Sequence, residues 1–310
     1  MHSILKFLAS LLLCTSLPSV AWSESYLLPP VDVDIIGHVQ TTRAQAEDTL
    51  LDIARNFDIG QEEILHANPE VDRWLPGAGT EVTIPSRYIL PDAERTGLVL
   101  NVPEMRLYYF PRSRKGEQQF VQTFPVSIGR MNWTTPIGKT RIVAKVKDPS
   151  WRPPASIKQE AAARGEPLPD VIRPGPDNPL GKYALRLGLP EYLIHSTNKP
   201  YGVGMRVTHG CVRMYPEDIE GLFQDIPQGT QVQIVNQPIK LGRLGELLYI
   251  EIHPPLDEEG IDDQGLLQLA VDTVHEYIQE HPALISGEAL LRAVHLKDGM
   301  PTLISRETDI

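Results

Sequence analysis

Between residues 97 and 236 the chain is written largely in short runs of alternating apolar residues, and this pattern constrains the fold more than any other feature. The runs at 98–102, 106–110, 119–126, 140–144, 192–195 and 231–235 are rich in Val, Ile, Tyr and Phe and are separated by turn-forming residues. Only 217–223 has convincing helical spacing here, with Pro216 where a first helical turn accepts it. The spacing therefore predicts a mostly β domain over 96–236. Residues 151–180 interrupt it with seven prolines and one helix-like run at 156–164. A stretch this long inside a compact domain is usually functional or disordered. Because it leads directly back to the run ending at His195, it is expected to form a lid or wall over a groove.

The flanks differ in character. Residues 24–38 contain Pro29 and Pro30 and read as a linker. Over 39–86, Leu50, Ile53, Ala54 and Phe57 have helical spacing, with Asp48 as N-cap and Asp58-Ile59-Gly60 as the stop. A second short helix ends at Asn68-Pro69, and 81–85 is a strand closed by proline. This predicts a small strand–helix–helix–strand module. Beyond 237, 247–253 reads as a strand closed by Pro254-Pro255, and two amphipathic helices follow at 264–280 and 288–296, the second capped by Ser286. This extension is acidic: residues 241–310 hold four Lys/Arg against fourteen Asp/Glu, and the whole chain has a formal charge of −11. Such a balance argues against nucleic acid or anionic lipid as a partner. It suits a solvated face or the docking of a basic partner. At the amino terminus, a weakly basic start, an apolar run at 4–13 and Ala21-Trp22-Ser23 predict a secretory signal peptide over 1–23. That apolar run is well short of the ~20 residues a membrane span requires, so no span is expected after signal removal.

The chain has two cysteines, and Cys14 falls in the expected leader. Cys211 would then have no internal disulfide partner and be either inert or reactive. Gly210 beside it allows close approach of a substrate, and His209 and Arg213 are expected to favour a thiolate. His195 lies upstream on a separate run, positioned to return next to the cysteine. A thiol with an adjacent imidazole is the minimal unit for nucleophilic acyl transfer. His209 is the alternative base, but two residues before Cys211 on an extended segment it is poorly aimed. By the same parity Arg213 shares the side of Cys211, where it could bind a substrate carboxylate or pair with an acid. Tyr201, Trp133 and Arg130 are candidates for the groove wall. His38, His66, His253, His275, His281 and His295 show no metal-ligand spacing, so neither metal nor cofactor is expected.

His195-Ser196, followed by Thr208-His209-Gly210-Cys211-Val212-Arg213, resembles the signature of the YkuD-like L,D-transpeptidases. Ile128-Gly129-Arg130 with Thr134-Thr135-Pro136-Ile137-Gly138 resembles a second element of that family. The resemblance implies a β-sandwich-like catalytic domain with its site at one end. It implies Cys211 as nucleophile, His195 as base, the Ser196 carbonyl orienting His195, and Gly210 as part of an oxyanion hole. Thr208, His209, Arg213, Tyr201 and Trp133 are assigned to substrate binding. The implied substrates are peptidoglycan tetrapeptide stems: a thioester forms with loss of the terminal D-alanine, and an amine resolves it.

Residues 39–86 resemble a LysM domain, which implies contact with peptidoglycan glycan through the loops around Asp48 and Asn68. Glu47 stands where that family usually has glycine. The whole layout resembles the periplasmic ErfK/YbiS group, which makes a lipoprotein's terminal lysine the first choice of acceptor and diaminopimelate of another stem the second. Residue types alone do not separate transfer from hydrolysis of the lipoprotein–wall bond. A non-catalytic wall-binding protein is the remaining reading, and intact His195 and Cys211 speak against it.

Overall fold

The computed structural model describes residues 25–30, 32–114, 116–131 and 133–306. The expected signal peptide and Cys14 lie outside these. No helix among the described residues is long and apolar enough to cross a membrane.

In chain order the strands begin with β1 (Ser25–Leu27), β2 (Ile35–Gly37) and β3 (Gln40–Arg43). Helices α1 (Leu50–Asn56) and α2 (Gln61–Ala67) follow, then β4 (Glu81–Ile84) and β5 (Arg87–Ile89). The central domain contains β6 (Gly97–Asn101), β7 (Arg106–Phe110), β8 (Phe120–Gly129), β9 (Gly138–Lys147) and α3 (Ala155–Ala163). It continues with β10 (Tyr183–Leu187), β11 (Leu193–His195), β12 (Arg206–Thr208), β13 (Val212–Met214), α4 (Pro216–Asp225) and β14 (Gln231–Val235). The C-terminal part holds β15 (Ile239–Leu244), β16 (Leu247–Ile252), α5 (Asp263–Glu280), α6 (Gly287–Leu296) and β17 (Thr302–Leu303).

The main sheet runs β1-β8-β13-β11-β10-β9-β14-β6-β7, and β7 pairs again with β8. The expected sandwich is thus a ring of strands closed through β8. Its ten residues are long enough to pair with β1 and β7 near one end and with β13 and β12 near the other. Alternation decides what each strand buries. Leu98, Leu100, Leu107 and Tyr109 turn inward to a core shared with Phe124, Ile142, Leu185 and Ile194. Val99, Tyr108 and Phe110 turn outward yet are also buried, in a second cluster with Ile36, Tyr88, Leu90 and Val121. Residues 24–38 are therefore no free linker, because β1 extends the main sheet and β2 pairs with β5 over its outer face.

Residues 40–84 form the expected β3-α1-α2-β4 module, with β3 and β4 antiparallel around Leu50, Ile53, Ile59, Ile64, Val82 and Ile84. The cap of α1 is Thr49 rather than Asp48. Thr49 Oγ1 accepts from the Asp52 N–H, and Asp52 accepts from the Thr49 N–H in return. Past 237, α5 and α6 pack on the three-stranded sheet β15-β16-β17, so the extension is a small α/β layer with its own core. It is fastened to the ring by Lys240, whose buried ammonium lies 2.8 Å from Glu104, 2.7 Å from Glu251 and 2.6 Å from the Ile89 carbonyl. Glu104, Glu251 and His253 could by themselves suit a metal ion, but Lys240 already supplies a cation to both carboxylates.

Candidate active site

β11 and β13 are parallel neighbours, with Ile194 opposite Val212 and His195 opposite Arg213. Cys211 immediately precedes β13, one step further along the same register. Residues directly opposite point to one face and positions two apart share it. His195, Arg213 and Cys211 therefore lie on a common face, the first two side by side and the cysteine diagonal to the histidine. Short β11 and β13 bring these residues to neighbouring positions by running in parallel.

The loop carrying Cys211 is fixed by hydroxyls. Thr208 Oγ1 donates to the Cys211 carbonyl at 2.6 Å, and Thr135 Oγ1 donates to the Gly210 carbonyl at 3.0 Å. Gly210 has φ +96°, and a Cβ there would lie 2.8 Å from Tyr192 Cε1. Only glycine meets both demands without strain. Neither the Gly210 nor the Cys211 N–H donates to a backbone carbonyl among the described residues.

His195 is buried and its Nδ1 lies 2.6 Å from the Ser196 carbonyl. A carbonyl only accepts, so Nδ1 carries the hydrogen and Nε2 is left as an acceptor. Burial, reinforced by the Arg213 charge opposite, holds the His195 imidazole down at about 4. The Cys211 thiol moves the other way. Burial pushes it up, and the Leu193 N–H and Arg213 only partly offset this. Its Sγ is 3.5 Å from the carbonyl of Glu191, a residue with φ +70° in the β10–β11 turn. Both shifts favour the uncharged forms, a thiol and a neutral imidazole. This corrects the expectation that the flanking cations hold a thiolate.

His209 is spent elsewhere. Its Nε2 is 2.9 Å from Glu160 Oε2 and 3.1 Å from Arg130 Nη2, and Trp133 meets its ring edge-on at 5.1 Å. Arg130 also donates to Glu160 at 2.6 Å. Hydrogen bonds from His209, Arg130 and Arg164 hold the Glu160 carboxyl down at about 2. Glu160 was not among the expected residues, although it sits in the helix-like run, now α3. Through it the proline-rich segment reaches the loop carrying Cys211. Trp133 and Arg130 thus organise His209.

Arg213 is half-buried, its Nε has no hydrogen-bond partner, and no carboxylate pairs with it among the described residues. Tyr201 is 64 % exposed and lines a cavity of about 10 Å³ with Leu51, Arg55, Gln61 and Tyr215, at the border with the β3-α1-α2-β4 module. In that module Asn68, expected near a glycan, is occupied structurally. Its Nδ2 donates to the Ile64 and Thr83 carbonyls and its Oδ1 accepts from the Thr83 N–H.

The sequence profile of the L,D-transpeptidase catalytic domain, YkuD, matches residues 95–234. The probable L,D-transpeptidase YbiS of Escherichia coli K12 is 37 % identical over 93 % of this chain and 94 % of its own length. Probable L,D-transpeptidases ErfK/SrfK and YcfS of the same strain are 40 % and 35 % identical. ErfK/SrfK covers 91 % of both chains; YcfS covers 92 % of this chain and 90 % of its own. Likeness of this extent, running through the module and the extension as well as the ring, places the chain in the YkuD family of cysteine-dependent L,D-transpeptidases.

Proposed function

We propose that this chain acts in the periplasm on peptidoglycan tetrapeptide stems through a thioester on Cys211, and that its acceptor is the terminal lysine of an envelope lipoprotein. The observation that carries the chemistry is the shared face of β11 and β13, with His195 Nδ1 tied to Ser196 and Nε2 open. As the sulfur attacks the carbonyl of the third stem residue, His195 Nε2 takes the thiol proton. It then delivers that proton to the departing D-alanine nitrogen. Burial of both groups favours the neutral starting pair, so charge separates only as the bond forms.

The Gly210 and Cys211 N–H groups are suited to receive the developing oxyanion. The half-buried guanidinium of Arg213, paired with no carboxylate among the described residues, suits a stem carboxylate, whose charge would compensate its partial burial. The incoming lysine amine then attacks the thioester, gives its proton to His195 and releases the thiolate, which takes that proton back. The module supports a LysM-like glycan contact. Trp74 and Leu75 are 63 % and 71 % exposed, and the loop they belong to accepts, through the Arg73 carbonyl, the Leu50 N–H that opens α1. The acidic extension and the basic leader sequence support the lipoprotein and export readings respectively.

The test is to incubate the purified protein with disaccharide-tetrapeptide, with and without a lysine-terminated lipoprotein peptide, and to identify products by mass spectrometry. A peptide–stem adduct with release of D-alanine is expected. Crosslinked stem dimers would select diaminopimelate as acceptor instead, and tripeptide alone would select hydrolysis.

A further inference from the structure

The β3-α1-α2-β4 module touches the catalytic ring where the nucleophile is mounted. Upstream of Cys211, the first two N–H groups of α2 donate across the border: Gln61 to the Val203 carbonyl and Glu62 to the Gly204 carbonyl, both at 3.0 Å. Gly204 has φ +82°, and a Cβ on it would lie 2.2 Å from the Gln61 nitrogen and 2.4 Å from Gly60 Cα. The Arg206 N–H reaches Glu62, while its guanidinium pairs with Asp257 and Glu258 of the C-terminal layer.

Downstream of Cys211, Tyr215 donates to the Ile59 carbonyl at 3.2 Å, and Glu217 receives a two-point contact from Arg55 at 2.8 and 3.1 Å. Asp218 lies beside Asp58, and burial together with that neighbour pushes its carboxyl well above the usual carboxylate range. Beneath them the fully buried Arg106 of β7 spans the same border, donating to both Glu63 oxygens and to the Asp58 carbonyl.

We infer that the module is a positioning part of the catalytic site: residues 58–63 and Arg55 hold both ends of the 203–218 segment and thereby fix the aim of Cys211. The inference rests on Cys211 being the nucleophile. Physically, the segment between the two anchors is a short strand, a glycine turn and a second short strand. Among the described strands, β12 pairs with the far end of β8 alone. A displacement of about 1 Å at a reacting atom costs on the order of 100-fold in rate, so loosening either anchor should be read in turnover.

The experiment uses the full chain. Gly204→Ala forces the module and the loop apart. Arg55→Glu sets two carboxylates against each other, and the exchange Arg55→Glu with Glu217→Arg restores the pair. Gly79→Ala is the control, since Gly79 also has a positive φ (+84°) within the module but no atom within 4 Å of the added Cβ. Donor turnover and Cys211 acylation by a carbapenem are measured beside circular dichroism. Gly204→Ala and Arg55→Glu are expected to lower kcat and the acylation rate by about tenfold or more, with donor KM changing by less than about threefold. The exchanged pair should recover most of the loss, and Gly79→Ala should match the parent. Parent-like kcat in folded Gly204→Ala and Arg55→Glu proteins overturns the inference, as does a loss that the exchanged pair fails to recover. The premise is checked separately: a parent protein still acylated after Cys211→Ala refutes the nucleophile assignment itself.

Discussion

Lowering the pH should cost this protein stability through one imidazole. His195 is 5 % exposed, lies opposite the Arg213 guanidinium, and is held down at about 4 by burial and then by that charge. An unfolded histidine titrates near 6.5. Between these values the unfolded chain binds more protons than the native one, so stability present above about pH 6.5 drains away as pH falls toward 4. Integrating over the window gives a loss of about 2 kcal/mol by pH 5 and about 3 kcal/mol by pH 4 from this group alone. Other groups titrate too, so the assay is a difference. Urea unfolding of the parent and of His195→Gln is followed from pH 7.5 to 4, and the parent's advantage over the variant should shrink by that amount. Two parallel stability curves would refute the reasoning. The kinetic counterpart is an acid limb of kcat/KM near pH 4, where the base becomes protonated; a limb near 6.5 would mean that the imidazole is solvated like a surface histidine.

Arg213→Met should reduce kcat/KM for tetrapeptide by about 10- to 100-fold, chiefly through KM, without loss in thermal stability, because a half-buried charge with no carboxylate partner is removed. Steady-state kinetics beside a melting curve check both halves. Gly210→Ala places a methyl 2.8 Å from Tyr192 at a positive φ. It is expected to cost about 1–3 kcal/mol of stability and about 100-fold or more in kcat. Lys240→Met strands Glu104 and Glu251 in the interior. Denaturant unfolding should show a loss of about 3–5 kcal/mol.

The sequence carried the chemistry more legibly than the architecture. Cys211, His195 and Ser196 were readable as candidates because the proposed nucleophile, base and orienting carbonyl sit in two short segments with residue types of few other uses. Strands β6, β7, β8, β9, β11 and β14 were readable by alternation. β12 and β13 were missed because each has three residues and is defined by pairing on β8 and β11. β15 was hidden by Gly242 and Arg243, and β1 and β2 by neighbouring prolines. Glu160 gave no local signal; it matters only because α3 folds back onto His209 from 49 residues away. The charge state of Cys211 was misjudged for a similar reason. Flanking cations are visible in a sequence, whereas burial and the diversion of His209 to Glu160 are products of the fold.

The most direct test of the central claim is the intact mass of the protein after brief incubation with disaccharide-tetrapeptide and no acceptor. A covalent adduct of the stem lacking D-alanine, mapped by proteolysis to Cys211 and formed at least ~100-fold more slowly in His195→Gln, is the predicted result. Release of D-alanine by a Cys211→Ala protein, or an adduct on any other residue, would contradict it.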